Sequence, residues 1–416
     1  MPGTTVNWWR AEILGQLEFS SDNYSLTARL QDSDAGGVRR KRVLHVGKYY
    51  PPHPGGMETR LRSLCVSVTP WFDCEVIVAN AERATRTETI DGVHVRRLAT
   101  WLMLAGTPIC PKMPWAIARA RPDLLLLQWP NPAAFVAYAI SGYRGPLIVA
   151  WESDVIRQRL LDKLFAPVTR AVLARASIIL VSSPGYDADS PMLREFARKV
   201  RSLPVGISTQ RFRRSDDDAI SRIRDRYGER IVLGVGRLVY YKGFQHLVRA
   251  AKSINGVVVI VGDGPLRTAL EDEARKQGVA DRVFFPGEVD DLVSYYQACA
   301  VFVLPSVARS EAFGIVQLEA MACAKPVVNT RIPTGVPFVS LDGVTGITVP
   351  PEDSGALATA INRLLDDAKL RNKYGQAALR RVEEEFSADR VAVTARNIYE
   401  EVLGRSAGAV ESSRRT

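Results

Sequence analysis

The sequence has few cysteines, and none are paired in the way that binds zinc or closes a small disulfide loop. Five cysteines are spread over the 416 residues, and no C-x-x-C motif occurs. An odd number of widely spaced cysteines argues against a disulfide framework and against a structural zinc site. A reducing compartment is the natural setting for such a chain. The cysteines lie at positions 65, 74, 110, 299 and 323.

Long apolar runs and a secretory start are also missing. No stretch of 18 consecutive apolar residues occurs, so we expect no transmembrane helix. The first 30 residues lack a basic start followed by an apolar core, which argues against a signal peptide. We therefore expect a cytoplasmic protein whose membrane attachment is at most peripheral, on the inner face of the cell membrane.

The Walker phosphate motif is missing, and the D-x-D metal motif occurs only in an unsuitable place. The Walker pattern G-x-x-x-x-G-K-[ST] does not occur. A D-x-D sequence, Asp32-Ser-Asp34, falls in a Gly-rich, loop-like stretch rather than before a strand. We therefore predict neither a Walker-type nucleotide site nor a metal ion.

Acidic residues are outnumbered by basic ones, which gives a formal net charge of +10 and a pI near 9.4. Such a balance favours acidic partners: nucleic acid, an anionic membrane surface or phosphorylated substrates. Because no aromatic stacking platform or nucleic-acid motif accompanies the charge, we expect no nucleic-acid partner. The length and the 46% hydrophobic content suffice for two full cores.

Short apolar strand patterns alternate with helical patterns along most of the chain. A first series begins at Val43, and a second of the same kind begins after Phe212. Strands that alternate with helices predict parallel sheets covered on both faces. We therefore predict an α/β fold of two doubly wound, Rossmann-like domains that face a cleft. The predicted segments are a partly ordered extension (1–40), an N-terminal domain (41–205), a C-terminal domain (206–390), and a helix that returns to the N-terminal domain with a tail (391–416).

The segment from Glu311 to Glu319 is the most informative motif. It follows the strand pattern Val301–Leu304, where a ligand is expected, because open α/β sheets bind ligands beyond the carboxyl ends of their strands. The free amides of a helix N-terminus suit a phosphate, and a glycine allows the backbone to approach it closely. The predicted first turn of this helix consists of Ala312, Phe313, Gly314 and Ile315.

Glu319 lies on an apolar helix face, since its neighbours three and four residues away are Ile315, Val316, Ala322 and Cys323. A carboxylate placed there needs hydrogen-bond donors to offset its burial. A ribose diol would supply two. A lone glutamate would more often be a solvated residue at the helix edge, but the whole arrangement favours a ligand.

Arg237 and Lys242 follow a predicted strand in the segment Gly234-Val-Gly-Arg-Leu-Val-Tyr-Tyr-Lys-Gly243. Two cations five residues apart, in a loop that faces the cleft, can neutralise a diphosphate. The alternative is a pair of solvated surface charges. Glycines near three strand ends also allow close backbone approach, and they are Gly55, Gly56, Gly236 and Gly262.

Together, E-x7-E and G-R-x-x-x-x-K-G resemble the motifs of the retaining, two-domain glycosyltransferases of family 4, over roughly residues 42 to 390. The resemblance implies the GT-B fold, with an acceptor-side N-terminal domain and a donor-binding C-terminal domain. It implies that Glu311 contacts the donor sugar and that Glu319 holds the ribose hydroxyls. Arg237 and Lys242 would then stabilise the leaving pyrophosphate.

The same resemblance implies further contacts of a nucleotide-diphosphate sugar. The glycine pair Gly55-Gly56 would lie beside the phosphate and sugar, Gly262 would form a turn near the nucleotide, and Val289 would border the base. No cofactor and no metal are implied; the anomeric configuration would be retained without a protein nucleophile.

The segment Trp151-Glu-Ser-Asp-Val-Ile-Arg-Gln158 departs from the family pattern. Relatives that build polysaccharide repeat units show H-S-D-x-x-R-Q, and their histidine points at the reacting sugar. Here Glu152 replaces that histidine, while Asp154 is kept. An anion can help a developing oxocarbenium ion, or it can repel the diphosphate. We count Glu152 and Asp154 among the candidate catalytic residues.

A basic, amphipathic stretch over residues 155–175 suggests docking on an anionic membrane, although a charge run is more often a solvated face. The W-x-S-D-x-x-R-Q segment at Trp151 and the K-Y-Y-P-P-x-x-G-G loop at Lys48 most resemble those of mannosyltransferases of exopolysaccharide and O-antigen assembly. We therefore expect transfer of mannose from GDP-mannose to a polyprenyl-diphosphate-linked or saccharide acceptor. Two alternatives stay open: a nucleotide-sugar epimerase, and a nucleotide-sugar-binding protein whose active site is impaired at Glu152.

Overall fold

The computed structural model describes residues 39–53, 55–104, 106–153 and 159–414. The predicted N-terminal extension lies outside this range except for its last two residues. Within the described range, the chain forms two α/β halves with separate sheets, as the strand and helix patterns predict.

The first half is built on an eight-stranded sheet, with a two-stranded hairpin beside it. The sheet order is 10-9-8-7-1-2-4-3, and its neighbours are parallel except for the last pair. The strands are β1 (Lys41–Val46), β2 (Phe72–Ala79), β3 (Arg86–Ile90), β4 (Val93–Leu98), β5 (Leu102–Leu104), β6 (Thr107–Ile109), β7 (Leu124–Trp129), β8 (Leu147–Trp151), β9 (Ile178–Val181) and β10 (Val200–Ser202). The hairpin consists of β5 and β6.

Helices cover both faces of this sheet. The helices are α1 (Gly56–Val68), α2 (Met113–Ala120), α3 (Pro132–Ser141), α4 (Arg159–Arg175), α5 (Tyr186–Asp189) and α6 (Pro191–Arg194). The central strands are apolar without alternation because both of their faces are covered. Strand β7, with the sequence LLLLQW, is buried at every residue.

The second half is built on a six-stranded parallel sheet in the order 13-12-11-14-15-16. Its strands are β11 (Ile231–Val235), β12 (Val257–Val261), β13 (Val283–Gly287), β14 (Val301–Leu304), β15 (Val327–Thr330) and β16 (Gly346–Val349). Its helices are α7 (Gln210–Arg213), α8 (Asp217–Tyr227), α9 (Phe244–Ala250), α10 (Arg267–Lys276), α11 (Leu292–Ala298), α12 (Ile315–Ala322), α13 (Val336–Val339), α14 (Ser354–Asp366) and α15 (Ala368–Arg381).

The chain crosses between the two halves twice, and the two crossings run side by side. Ile207 pairs with Ser387 in an isolated parallel bridge. The Ile207 amide donates to the Phe386 carbonyl at 2.9 Å, and the Ala388 amide donates to the Ile207 carbonyl at 2.9 Å. The outgoing and returning segments are therefore fixed to each other at one point.

The last helix, α16 (Ala388–Arg414), packs on the first half. Its apolar side chains join the core formed by β1, β2 and α1, through Val391, Ala395, Ile398, Tyr399 and Val402. In the described residues, no helix is both long and apolar enough to cross a membrane.

His45, in the middle of β1, makes a polar contact with α16 inside the apolar core that the two elements share. Its Nε2 atom lies 3.1 Å from the hydroxyl oxygen of Tyr399, and both side chains are buried. Burial lowers the pKa of His45 to about 3. The native protein therefore holds this imidazole neutral, whereas the unfolded chain protonates it below its ordinary pKa near 6.5.

We predict that the His45→Gln variant loses part of the acid sensitivity of folding. Between pH 6.5 and pH 3 the unfolded state binds one more proton at His45 than the native state does, so stability falls as pH falls through this window. From pH 7 to pH 5.5 this amounts to about 1 kcal/mol. Urea unfolding at the two pH values should show a smaller loss in His45→Gln than in the wild type.

The matched control is His94→Gln, at an exposed histidine that contacts the Thr89 hydroxyl. This variant should keep the pH dependence of the wild type. Equal pH dependence in His45→Gln and the wild type would show that His45 does not titrate differently in the two states.

Candidate functional site

The strand order opens a crevice in each sheet at its carboxyl edge. In the first half β1 lies between β2 and β7, and in the second half β11 lies between β12 and β14. Loops that leave neighbouring strands at such a reversal of order diverge to opposite faces, so that a ligand can enter between them. The predicted site residues follow these strands.

Lys242 and Glu311 form a buried ion pair in the crevice of the second half. Lys242 Nζ lies 2.6 Å from Glu311 Oε2, and both side chains are about nine-tenths buried. The Ser306 hydroxyl donates to the same carboxylate oxygen at 3.1 Å. Burial alone would lower the pKa of Lys242, but the charge of Glu311 outweighs it and raises that pKa, so Lys242 is a cation at neutral pH.

The two loops that carry this pair also touch through their backbones. The Val307 amide donates to the Tyr241 carbonyl at 2.8 Å. Gly243 has a left-handed backbone (φ +69°), and a Cβ atom there would lie 2.0 Å from the Pro305 carbonyl oxygen. No larger residue fits this contact, so glycine at this position is needed to bring Lys242 up to Glu311.

The helix after Glu311 begins later than the sequence predicts. We expect its first turn at residues 312–315, but α12 begins at Ile315 and Gly314 is its N-cap in the left-handed conformation (φ +72°). The reason is a tertiary contact: a Cβ at Gly314 would lie 2.5 Å from Leu304 Cδ2, so only glycine makes this turn. Glu311 and Ala312 therefore lie in the loop before the helix.

The residues of this loop and first turn differ in what they can offer a ligand. The Phe313 side chain is buried against Phe386 in the core, with ring centroids 6.1 Å apart. The Ala312 carbonyl accepts from the Gly335 amide at 2.8 Å. The Gln317 amide already donates to the Gly314 carbonyl at 2.9 Å. What this stretch offers a ligand is therefore the amides of Ile315 and Val316, at the very start of the helix.

Glu319 already has one donor in the protein. The hydroxyl of the buried Tyr296 donates to Glu319 Oε2 at 2.6 Å. In the described part of the chain, this hydroxyl is the single hydrogen-bond donor to the carboxylate. Burial raises the pKa of Glu319, while Tyr296, Arg211 and Lys242 act in the opposite direction. Tyr296 thus fixes one carboxylate oxygen and leaves the other for a further donor.

Gly236 and Gly262 meet at the carboxyl ends of β11 and β12. Gly262 has φ +128°, and a Cβ there would lie 2.3 Å from the Gly236 carbonyl oxygen. A Cβ at Gly236 would lie 3.2 Å from Lys242 Cε. The two glycines therefore let the turns pack against each other and against the stem of Lys242. Both serve the local backbone packing, whatever they contribute to a ligand.

Arg237 differs from Lys242 in its surroundings. Its side chain is exposed, and it forms no ion pair with any described residue.

Val289, predicted to border a base, is half-buried. It lines an open groove of about 410 Å³ between α8 and α11, together with Tyr227 and Tyr295.

In the first half, Glu152 lies in a buried polar cluster at the ends of β7 and β8. Arg60 Nη1 lies 3.0 Å from Glu152 Oε2, and each side chain is 9% exposed. Gln128 Nε2 donates to Glu152 Oε1 at 3.5 Å and to the Met57 carbonyl at 3.0 Å. Arg60 Nη2 also donates to the Leu203 carbonyl at 2.9 Å, in the segment that leads to the second half.

The glycine pair near β1 contributes in two different ways. Gly55 is the N-cap of α1 (φ +158°), and a Cβ there would lie 2.0 Å from Glu58 Oε2. Gly56 is exposed, and a Cβ there would meet nothing within 4 Å. The Glu58 carboxylate, whose pKa is raised by burial, thus lies close over the start of this helix. Asp154, the remaining predicted site residue, lies outside the described residues.

The two halves approach each other beside the Glu311 loop. A Cβ placed at Gly335 would lie 2.7 Å from Phe313 Cδ2, 2.9 Å from the Ala312 carbonyl oxygen and 3.2 Å from Ser183 Oγ. Ser183 follows β9 of the first half. The carboxyl edges of both sheets therefore face the same cleft, as the strand pattern predicts.

Four side chains of the site are not among the predicted residues. Ser306 follows β14, and Gln128 is the one amide in the apolar run of β7. A polar residue at the end of a buried strand is a sequence pattern that indicates a site, and both residues show it. Arg60 and Tyr296 show no such pattern, because each lies on a helix where its residue type is ordinary.

Comparisons with known proteins agree with this architecture. Residues 55–206 match the model of the glycosyl transferase 4-like domain, and residues 216–381 match that of the glycosyl transferases group 1. O-antigen chain mannosyltransferase C of Escherichia coli is 33% identical over 87% of this chain and 99% of its own length. D-rhamnosyltransferase WbpZ of Pseudomonas aeruginosa is 32% identical over 83% of this chain and 92% of its own.

Solved structures are similar in fold. Sucrose-phosphate synthase from Thermosynechococcus elongatus superimposes with a TM-score of 0.74 at 23% identity, over 88% of this chain and all of that one. Anabaena HepE, in a structure with UDP, gives a TM-score of 0.70 at 20% identity over 86% of this chain and all of that one. The chain is therefore a glycosyltransferase of the GT-B fold and belongs to the group 1 glycosyltransferases with a family 4-like N-terminal domain.

Proposed function

We propose that this glycosyltransferase moves mannose from GDP-mannose to a polyprenyl-diphosphate-linked or saccharide acceptor in polysaccharide assembly, with retention of the anomeric configuration. The observation that carries the donor site is the buried Lys242–Glu311 pair, which joins the loop after β11, where the exposed Arg237 also lies, to the loop before α12. This arrangement suits a diphosphate that carries a sugar.

The diphosphate would be held by positive groups of three kinds. Lys242 uses one of its protons on Glu311 and keeps two further N–H donors. Arg237 adds a guanidinium whose charge no described residue neutralises. The amides at the start of α12 add the positive end of a helix dipole.

The same groups would stabilise the charge that develops on the leaving diphosphate, because fixed cations and helix N-termini act without reorganisation in the transition state. They supply this stabilisation without a cofactor or metal, which we therefore propose the enzyme does not need. In the described residues, no group of three His, Cys, Asp or Glu side chains is arranged to hold a metal ion.

Glu319 would select the ribose. Tyr296 holds one carboxylate oxygen in place at 2.6 Å, and the second oxygen is left to accept from a ribose hydroxyl. Glu311, whose carboxylate is oriented by Lys242 and Ser306, would accept from hydroxyls of the donor sugar. A site that pairs buried acceptors with ligand hydroxyls discriminates strongly against ligands that lack them.

The choice of mannose rests on relatives. The relatives include an O-antigen mannosyltransferase and, at 28% identity, a GDP-mannose-dependent mannosyltransferase of Mycolicibacterium smegmatis. The same set includes a rhamnosyltransferase and an α-D-kanosaminyltransferase, so the family admits other sugars. Membership of this family favours group transfer over the alternative of epimerisation.

Glu152 is better explained by its contacts as a positioning residue than as a catalytic one. Its carboxylate is tied to Arg60, and Arg60 in turn holds the Leu203 carbonyl in the segment between the halves. Burial raises the pKa of Glu152, and Arg60 acts against that rise. We propose that the replacement of the family's histidine preserves the site by pairing with Arg60, which argues against an impaired enzyme.

We predict that the full chain binds GDP at least about tenfold more tightly than UDP and turns over GDP-mannose with a polyprenyl-diphosphate-linked acceptor. Titration calorimetry with both nucleotides, followed by product analysis with GDP-mannose and UDP-glucose, would check this. A clear preference for UDP would contradict the mannose assignment and leave the glycosyltransferase assignment standing.

We also predict that Glu152→Gln destabilises the protein by about 3–5 kcal/mol, because it leaves the buried Arg60 without a counter-charge. The double variant Arg60→Met/Glu152→Leu removes both charges and should recover most of that stability. Chemical denaturation measures both effects. Glu195→Gln, in the exposed pair with Arg170, is the matched control and should change stability by less than about 1 kcal/mol.

The rate of the double variant separates the two roles of Glu152. A positioning role predicts a folded double variant that keeps transfer within about tenfold of the wild type. A folded but inactive double variant would show that the Glu152 carboxylate acts on the substrate itself.

A further inference from the structure

Four consecutive large apolar side chains are exposed at one place on the first half. Trp101 is 65% exposed, Leu102 59%, Met103 51% and Leu104 53%. They begin just before β5 and form one strand of the hairpin with β6. An exposed apolar patch of this kind marks a contact with another molecule or with a membrane.

The hairpin does not follow the pattern of a strand that covers a core. Successive side chains of a strand point to opposite faces, so a half-buried strand alternates apolar and polar residues. Here the side chains on both faces of β5 are apolar and more than half exposed. The hairpin is hydrogen-bonded as a separate two-stranded ribbon rather than as part of the large sheet. The partner strand β6 is half-buried, with Pro108 buried, and so ties the ribbon to the first half. The exposed strand β5, apolar on both faces, is suited to insertion into an apolar phase.

The surroundings of the hairpin are basic and aromatic. No Asp or Glu occurs from Gly92 to Pro122 in the sequence. Trp115, in the first turn of α2, is 60% exposed, and the guanidinium of Arg119 lies over its ring at 4.9 Å from the centroid. Lys112, which caps α2, is exposed and forms no ion pair with the described residues. Tryptophan and basic residues are the side chains that favour the interface of an anionic bilayer.

The hairpin lies at the edge of the sheet that faces the cleft. It follows the carboxyl end of β4, and the Tyr49 hydroxyl contacts Met103 Sδ at 3.7 Å. Tyr49 belongs to the loop that runs from β1 to the glycine pair at the start of α1. A hairpin inserted in a bilayer would therefore bring the acceptor side of the cleft to the lipid surface.

We propose that the hairpin of β5 and β6, with Trp101 before it and Trp115 beside it, is the surface by which the enzyme docks on an anionic lipid bilayer. Its purpose, to bring a lipid-linked acceptor to the cleft, rests on the proposed function, whereas the docking surface itself does not. It assigns docking to a different element than the basic stretch over residues 155–175. In that stretch, Arg170 pairs with Glu195 and Arg175 donates to the Arg144 carbonyl, so both guanidinium groups are engaged within the protein.

The test uses the full chain and two kinds of vesicle, neither of which contains polyprenyl lipid. Neutral vesicles consist of phosphatidylcholine, and anionic vesicles contain roughly 30–50% phosphatidylglycerol in addition, which gives them a negative surface charge. We expect the wild type to co-sediment with the anionic vesicles and to bind neutral ones and high-salt samples more weakly. Leu102→Ser/Leu104→Ser should weaken binding to anionic vesicles by about tenfold or more. Ile140→Ser, at an equally exposed apolar residue of α3, should bind within about twofold of the wild type.

Three outcomes would overturn the proposal. The wild type does not bind anionic vesicles, or the double variant binds them as well as the wild type. Alternatively, light scattering without lipid shows a dimer that the double variant loses, which would assign the hairpin to a second copy of the chain. Transfer to a short, water-soluble acceptor should be unchanged in the double variant. Failure of that transfer in the wild type would count against the proposed acceptor class, and the vesicle result would stand by itself.

Discussion

The donor site depends on one constraint: a cation and an anion, Lys242 and Glu311, are buried together at the carboxyl edge of the second sheet. Burying either charge alone would cost several kcal/mol, so each requires the other in place. Their strands, β11 and β14, are neighbours in the sheet although two other strands, β12 and β13, and three helices lie between them in the sequence. Gly243 allows the two loops to touch, and Ser306 completes the bonding of the carboxylate. The exposed Arg237, five residues before Lys242, and the amides of α12, which begins four residues after Glu311, add positive charge on the same two loops.

A second buried pair serves the first half in a comparable way. Glu152 and Arg60 join the end of β8 to α1, and Arg60 reaches the segment that crosses to the other half. That crossing is bonded to the returning chain at Ile207 and Ser387, and α16 then closes against β1 through Tyr399. The acceptor side of the cleft, the crossing and the last helix are therefore one connected set of contacts.

The fold was largely predictable because the central strands are apolar runs bounded by turn residues. The edge strands β3 and β16 carry no such pattern. Strand β3 reads RTETI and is mostly exposed, and β16 is four residues that begin with glycine. The glutamates and cations of the donor site were predictable because they follow strands. Their partners Tyr296 and Arg60 were not, since they lie on helices and reach the site only through packing.

The helix start at Gly314 was misplaced because its left-handed turn is set by a contact with Leu304, which no local pattern reveals. The exposed hairpin at Trp101 was likewise not predictable as exposed, since an apolar run is typical of a buried strand. The contact at Gly314 and the exposure of the hairpin are both properties of the tertiary structure, and neither can be recognised from neighbouring residues in the sequence.

The most direct test of the donor site is the affinity for a nucleoside diphosphate compared with its monophosphate. Calorimetry with GDP and GMP should show the diphosphate binding about a hundredfold more tightly, since the second phosphate adds charge-assisted contacts to Arg237 and Lys242. The Arg237→Gln variant should lose most of this difference, while Arg249→Gln, at a partly exposed arginine paired with Glu273, should keep it. Equal affinities for GDP and GMP, or an unchanged ratio in Arg237→Gln, would contradict the account.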